Sequence, residues 1–263
     1  MADHIGQYRL LRKLGEAGLG AVYLAEDPVA RRNVALQVLP RKLHSDPHFM
    51  MRFEREARAA SSLNHVNIVA TYTVGEDAGQ HFLVTEYCEG ETLDKLLKRT
   101  QFLPWDQALG IVTQAARGLK HGHENDILCR ELRPASIIVT AGGVAKILGM
   151  GVPKAEPSGA PTGAAAAHYL STEQARCDNE IDGRTDVYSL GATFYHMLTG
   201  EPPFAGPSAE AIAAKRLSEQ LPNPQDLRDG IPDGVVQVLQ KMMAREPADR
   251  YRDCGELLDD LEL

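Results

Sequence analysis

Residues Ile127–Val139 read I-L-C-R-E-L-R-P-A-S-I-I-V, a charged stretch with one proline that runs into a short apolar strand. Ahead of it lies Trp105–Glu124. There Leu109, Val112, Ala116 and Leu119 recur at helical spacing and Asp106 stands near the start, which predicts a long helix leading into the stretch. Beyond it, Ile137–Thr140 and Val144–Ile147 flank Ala141-Gly142-Gly143 and predict a small hairpin. A further loop, Lys146-Ile147-Leu148-Gly149-Met150-Gly151, follows at once.

The chain has 263 residues, 43% hydrophobic and 24% charged, the balance of a globular protein with a sizeable core. Its formal net charge of −8 argues against a nucleic-acid or anionic-membrane surface as the main partner. Cys88, Cys129, Cys177 and Cys254 lie far apart with no C-x-x-C pair, so free thiols in a reducing compartment are expected. No apolar run approaches the ~20 residues of a membrane span, and the N-terminus has no apolar signal core. The expectation is a cytoplasmic domain.

Working outward, Tyr8–Leu14 and Ala21–Glu26 read as strands around Gly15-Glu16-Ala17-Gly18-Leu19-Gly20, a glycine turn able to lie over a phosphate chain or simply to close a hairpin. Asn33–Leu39 alternates like a strand, with Gln37 as its polar residue. Pro47–Leu63 carries a helical stripe of Phe49, Phe53, Ala57, Ala60 and Leu63. His81–Glu86 reads as a strand, and Thr92–Arg99 as a short helix with Leu93, Leu96 and Leu97 inward. Val152–His168, rich in Pro, Ser, Gly and Ala, reads as a mobile loop. Val235–Arg245 and Gly255–Leu261 read as closing helices.

In this order and spacing the chain resembles the protein kinase family, in wording nearest to bacterial serine/threonine kinases, from about Tyr8 to Leu261. The central stretch is similar to H-R-D-L-K-P-x-N: Arg130, Leu132 and Pro134 match, whereas Cys129, Glu131, Arg133 and Ser136 replace His, Asp, Lys and Asn. Gly15, Gly20 and Val22 match the glycine-rich loop, and Ala17 replaces its middle glycine. Gln37 stands at the lysine of V-A-x-K, and Gly149-Met150-Gly151 at D-F-G. Tyr169–Glu173 is similar to Y-x-S-P-E with Thr172 for Pro, which puts Ala165-Ala166-Ala167 at G-T-P. Asp182–Gly191 and Met197–Phe204 match closely.

The resemblance implies an α+β, bilobal kinase-like fold as one domain over 1–263, with a small β-rich N-lobe to about residue 86 and a larger helical C-lobe from 87. It implies a nucleotide cleft at Leu14, Gly15, Val22, Ala35, Gln37, Thr85, Glu86, Cys88 and Ile138, where hinge backbone offers a donor and an acceptor to an adenine edge. It implies structural roles for Glu56, Arg130, Glu173, Asp186 and Arg250. Glu173 and Arg250 are expected to pair in the core, and Cys129, Met150 and Ala60 to form an apolar column across the cleft.

Positions that build the fold agree with the family and positions that do the chemistry do not, so the chain reads as a pseudokinase. No metal site is implied. Three functions stay open. One is a binding module for a protein partner such as an active kinase. Another is a sensor of ATP or another purine nucleotide held without Mg²⁺. The third is a divergent kinase with Glu131 as base and Arg12, Lys13, Arg133 or Lys154 supplying the lost charge.

Overall fold

A computed structural model describes residues 4–17, 19–152 and 164–262. The first 86 residues build a six-stranded antiparallel sheet. Its strands are β1 (His4–Ile5), β2 (Tyr8–Ala17), β3 (Gly20–Asp27), β4 (Arg32–Val38), β5 (Thr71–Asp77) and β6 (Gln80–Glu86), in the order β1-β2-β3-β4-β6-β5. Alternation decides its two faces. Val34, Leu36, Val38, Phe82 and Val84 pack with Ile5 and Tyr8 on one face. Leu39 and Leu83 meet Phe49, Phe53 and Ala57 on the other.

Those last three residues belong to α2 (Pro47–Ala60), which follows the single turn α1 (Arg41–His44). The Asp46 carboxylate caps α2 by accepting from the backbone N–H of His48 and Phe49, and Pro47 takes the first helical position, where no N–H is missed. Phe53 is 1% exposed; full burial of such a ring is worth roughly 1.5–3 kcal/mol. The helix ends at Ala60, one turn short of the expected Leu63.

After residue 86 come β7 (Gly90–Thr92), α3 (Leu93–Thr100), α4 (Trp105–His123), β8 (Ile137–Thr140) and β9 (Ala145–Ile147). They are followed by α5 (Ala164–Ala167), α6 (Thr172–Ala175), α7 (Gly183–Thr199), α8 (Ala209–Ser218), α9 (Asp233–Met242) and α10 (Cys254–Leu261). The strands β7, β8 and β9 form a small antiparallel sheet at the lobe boundary. At the centre of the large lobe is α7, buried from Thr185 to Thr199 except for a partly exposed His196. It starts on an Asp182 cap and stops at Gly200, whose φ of 84° closes the helix in the left-handed region.

Two expectations need correction. The glycine-rich stretch is mostly strand: β2 runs on through Gly15, Glu16 and Ala17, with a register shift between Lys13 and Gly15. Gly15 has a φ of 158°, which is extended backbone, so it continues the strand. Second, the end of the expected loop is helical at Ala164–Ala167. Alanine is the best helix former, and Arg216 holds the turn by donating to the Ala167 carbonyl. The rest of that loop, 153–163, lies outside the described residues. Smaller shifts also occur. On α4, Leu109 is only half-buried, and Ala108, Ile111 and Ala115 share the buried stripe with Val112, Ala116 and Leu119.

Candidate functional site

The cleft lies between the inner sheet face and the β7-β8-β9 sheet. Cross-strand register fixes what that face displays. Gly15 faces Val22, Val22 faces Gln37, and Gln37 faces Leu83; one row nearer the hinge, Ala35 faces Thr85. Leu14, Val22, Ala35, Gln37 and Thr85 are all half-buried. From the other lobe Ile138 contributes a side chain 9% exposed.

At the hinge, the Glu86 carboxylate takes both Lys146 Nζ contacts, at 2.8 and 2.9 Å, and a third bond from the Ala70 N–H at 3.2 Å. Lys146 has no partner legible in the sequence; it stands on β9 opposite Ile138 and ties the hinge to the large lobe. Burial, then the charge of Glu86, pushes the Cys88 thiol up to about 12.

The central loop is gripped from below. Asp186, fully buried on α7, accepts from the backbone N–H of Cys129 at 2.8 Å and of Arg130 at 2.7 Å. His123 Nε2 lies 2.8 Å from the same carboxylate. Arg130 sits at φ 65°, a left-handed conformation that costs a non-glycine residue energy and persists where surrounding bonds over-determine it. The Gln174 amide adds a 2.8 Å bond to the Arg130 carbonyl. Glu131 is half-buried beside it.

Ser136 turns its hydroxyl into the loop itself. Its Oγ accepts from the Arg133 N–H at 2.8 Å and lies 2.8 Å from the Arg133 carbonyl as donor. Across from it Gly149, at φ 66°, presents no side chain. Met150 is 2% exposed and shares the large-lobe core with Cys129. Its methyl occupies the space a Cβ on Gly122 would need: such a Cβ would stand 1.9 Å from Met150 Cε. The column expected through Ala60 is shifted by three residues. Leu63 joins the cluster of Met150 and Cys129, while Ala60 Cβ comes 3.3 Å from a Cβ built on Gly151.

On α2 the Glu56 carboxylate lies 3.9 Å from Arg130 and 3.7 Å from Arg55. No bond joins it to Gln37 among the described residues. Of the cations considered as replacements, Lys13 pairs with Glu16 and Arg12 reaches the Tyr87 hydroxyl at 3.4 Å. Lys154 lies outside the described residues, and the Arg133 backbone is tied to Ser136.

Below the cleft, Arg250 and Glu173 form a two-pronged pair, Nη1–Oε1 and Nη2–Oε2 both at 2.8 Å, with side chains 0% and 6% exposed. Thr185 donates to the same carboxylate at 2.6 Å. Thr172, at the family's proline position, donates to the Arg245 carbonyl at 2.6 Å and accepts from Arg250 at 2.7 Å. Burial pushes the Glu173 carboxyl up, but the Arg250 bonds and charge outweigh it and hold the group at about 2. The roles of Thr172, Thr185, Gln174 and His123 were missed in the sequence because each acts through hydrogen bonds that no spacing signals.

Curled sheet, single packed helix, helical lobe and intervening cleft define a protein kinase fold. The Protein kinase domain family profile matches residues 8–260. The chain is 39% identical over 264 residues to the serine/threonine-protein kinase PknB of Mycobacterium leprae, covering 97% of this chain and 42% of that protein. It is 35% identical over 261 residues to the serine/threonine-protein kinase PrkC of Bacillus subtilis, covering 98% and 40%. The crystal structure of the Mycobacterium tuberculosis PknI kinase domain matches with a TM-score of 0.80 at 28% identity, covering 100% of this chain and 98% of that one. The chain therefore belongs to the protein kinase domain family, among bacterial serine/threonine kinase relatives. It spans about two fifths of the length of those curated relatives. No helix among the described residues is long and apolar enough to cross a membrane.

Proposed function

We propose that this chain is a pseudokinase: one kinase-type domain that does not transfer phosphoryl groups and works as a protein-binding or allosteric signalling module, with an active kinase among its natural partners. The observation that carries the reading is the pair Ser136 and Gly149. Kinases catalyse phosphoryl transfer mostly by positioning and electrostatics, and so depend on cations that neutralise the transferring group. A hard cation such as Mg²⁺ needs oxygen ligands. Gly149 brings none on a side chain, and the Ser136 hydroxyl is spent within its own loop. Mg²⁺ does not fit these residues.

The rest of the site supports the same reading. Gln37 offers a neutral amide where the family has a charge. Glu131 is a carboxylate one methylene longer than aspartate, which moves its oxygens off the family's base position. A positioned base is worth roughly 10²–10⁴-fold. The frame that survives, with Asp186, Arg250 and Glu173 all engaged, is a binding scaffold.

The test is incubation of the purified domain with labelled ATP, Mg²⁺ or Mn²⁺ and generic acceptors, alongside a pull-down with the intact domain. No incorporation, with specific capture of a protein partner, is expected. Incorporation that disappears in Glu131→Ala would overturn the proposal and make the chain a divergent kinase.

A further inference from the structure

The inner face of the small-lobe sheet is not uniform along its length. At the hinge end Ala35 and Thr85 are half-buried, and the Cys88 N–H has no hydrogen-bond partner among the described residues. At the α2 end the same face is sealed. Leu19, from the tip between β2 and β3, is 4% exposed and belongs to one apolar cluster with Leu39, Phe49, Phe53, Leu83 and Val152. A loop-tip leucine has therefore left solvent and joined side chains from α2 and from the segment after Gly151.

The backbone beside Leu19 is pressed onto β4. Gly20 has a φ of 114°, and a Cβ there would stand 2.2 Å from the Val38 carbonyl oxygen and 3.0 Å from Pro40 Cδ. Only glycine permits that approach, and it leaves little space beneath the tip. Charge points the same way. Lys13 is paired with Glu16 and Lys146 with Glu86, and Gln37, between the two ends of the face, is neutral. A triphosphate extending under the tip would meet apolar side chains and, among the described residues, no unpaired lysine there, and burying such charge without a partner is strongly unfavourable.

We propose that the cleft takes an uncharged purine nucleoside at its hinge end and excludes nucleoside triphosphates, because Leu19 plugs the end where the phosphates would lie. The base edge is read by the Cys88 N–H and the neighbouring hinge carbonyl, and the base is sandwiched between Ala35 and Ile138. The Gln37 amide, both donor and acceptor, serves a sugar hydroxyl. This deepens the pseudokinase reading and rests on it.

The experiment is a calorimetric titration of the domain with adenosine, guanosine, ATP and GTP, with and without Mg²⁺. One nucleoside is expected to bind independently of metal and at least tenfold more tightly than its own triphosphate. The Leu19→Ser variant is expected to narrow that ratio severalfold by weakening the plug. The comparison is made within each variant, so a general loss of stability does not mimic the result. Triphosphate binding as tight as nucleoside, absence of nucleoside binding, or an unchanged ratio in Leu19→Ser each overturns the inference. Tight ATP binding without phosphoryl transfer would sink it and leave the pseudokinase reading standing. Metal-dependent transfer from ATP would remove that reading itself.

Discussion

Replacing Arg250 by methionine keeps most of the side-chain bulk and removes everything the guanidinium does. It leaves the Glu173 carboxylate, 6% exposed, without its counter-charge and takes one hydrogen bond from each of the carbonyls of Arg184, Ala244 and Arg245 that Arg250 also serves. Breaking a buried pair from one side costs about 3–5 kcal/mol. For a domain of this size each kcal/mol moves the melting temperature by roughly 2–4 °C, so a drop on the order of 10 °C is expected. Glu173→Gln should cost less, by at least about 1 kcal/mol, because the arginine keeps its carbonyl partners and a neutral amide still accepts from Thr185.

The pair also predicts a pH dependence. Glu173 is lowered from 4.5 to about 2 in the folded protein, so its stabilisation is complete above pH 4.5 and is lost as the pH falls toward 2. Its size is about 3 kcal/mol. Urea unfolding followed by fluorescence at pH 7, and again in steps from pH 5 to pH 2, measures both effects. Arg250→Met melting within a degree of the parent, or Glu173→Gln retaining the full acid slope, would refute the reasoning.

Gln37→Lys alone is expected to give no Mg²⁺-dependent ATP turnover, because groups that act as a unit are not restored singly; the fair comparison is the combined Gln37→Lys, Glu131→Asp, Ser136→Asn, Gly149→Asp variant in the same turnover assay. Ser136→Ala leaves the half-buried Arg133 N–H without its acceptor and should cost about 1–3 kcal/mol in urea unfolding. Gly118→Ala would put a Cβ 2.8 Å from the Asn67 carbonyl oxygen, backbone that cannot simply swing aside, and should cost roughly 1–3 kcal/mol by the same measurement. Iodoacetamide at pH 8, read by peptide mass mapping, should modify the exposed Cys177 well before Cys88, whose thiol stays protonated to about pH 12.

Where a feature followed from periodicity, the sequence was enough. The α2 stripe of Phe49, Phe53, Ala57 and Ala60 is buried as read, as is the Leu93, Leu96 and Leu97 face of α3. Motif spacing located Arg250 near Glu173 across 77 residues, because a family frame carries long-range geometry that local propensity does not. What stayed illegible was of two kinds. Single polar contacts such as Thr172 to Arg245 and Lys146 to Glu86 involve residue types that are equally at home on a surface. Small packing decisions, such as Leu19 entering one apolar cluster or Leu63 joining the cluster of Met150 and Cys129, depend on ångström-scale space that only a folded backbone defines.

Asp186 holds the central loop by peptide N–H groups at Cys129 and Arg130. Any amino acid except proline supplies that donor at either position. The two hydrogen bonds of the grip are thus insured against changes of side chain at 129 and 130, although the buried Cys129 must still pack in the core and the residue at 130 must still adopt a left-handed φ. A change at Asp186 itself would have the opposite character: one substitution would release both bonds of the grip together, and no replacement within the loop could restore them.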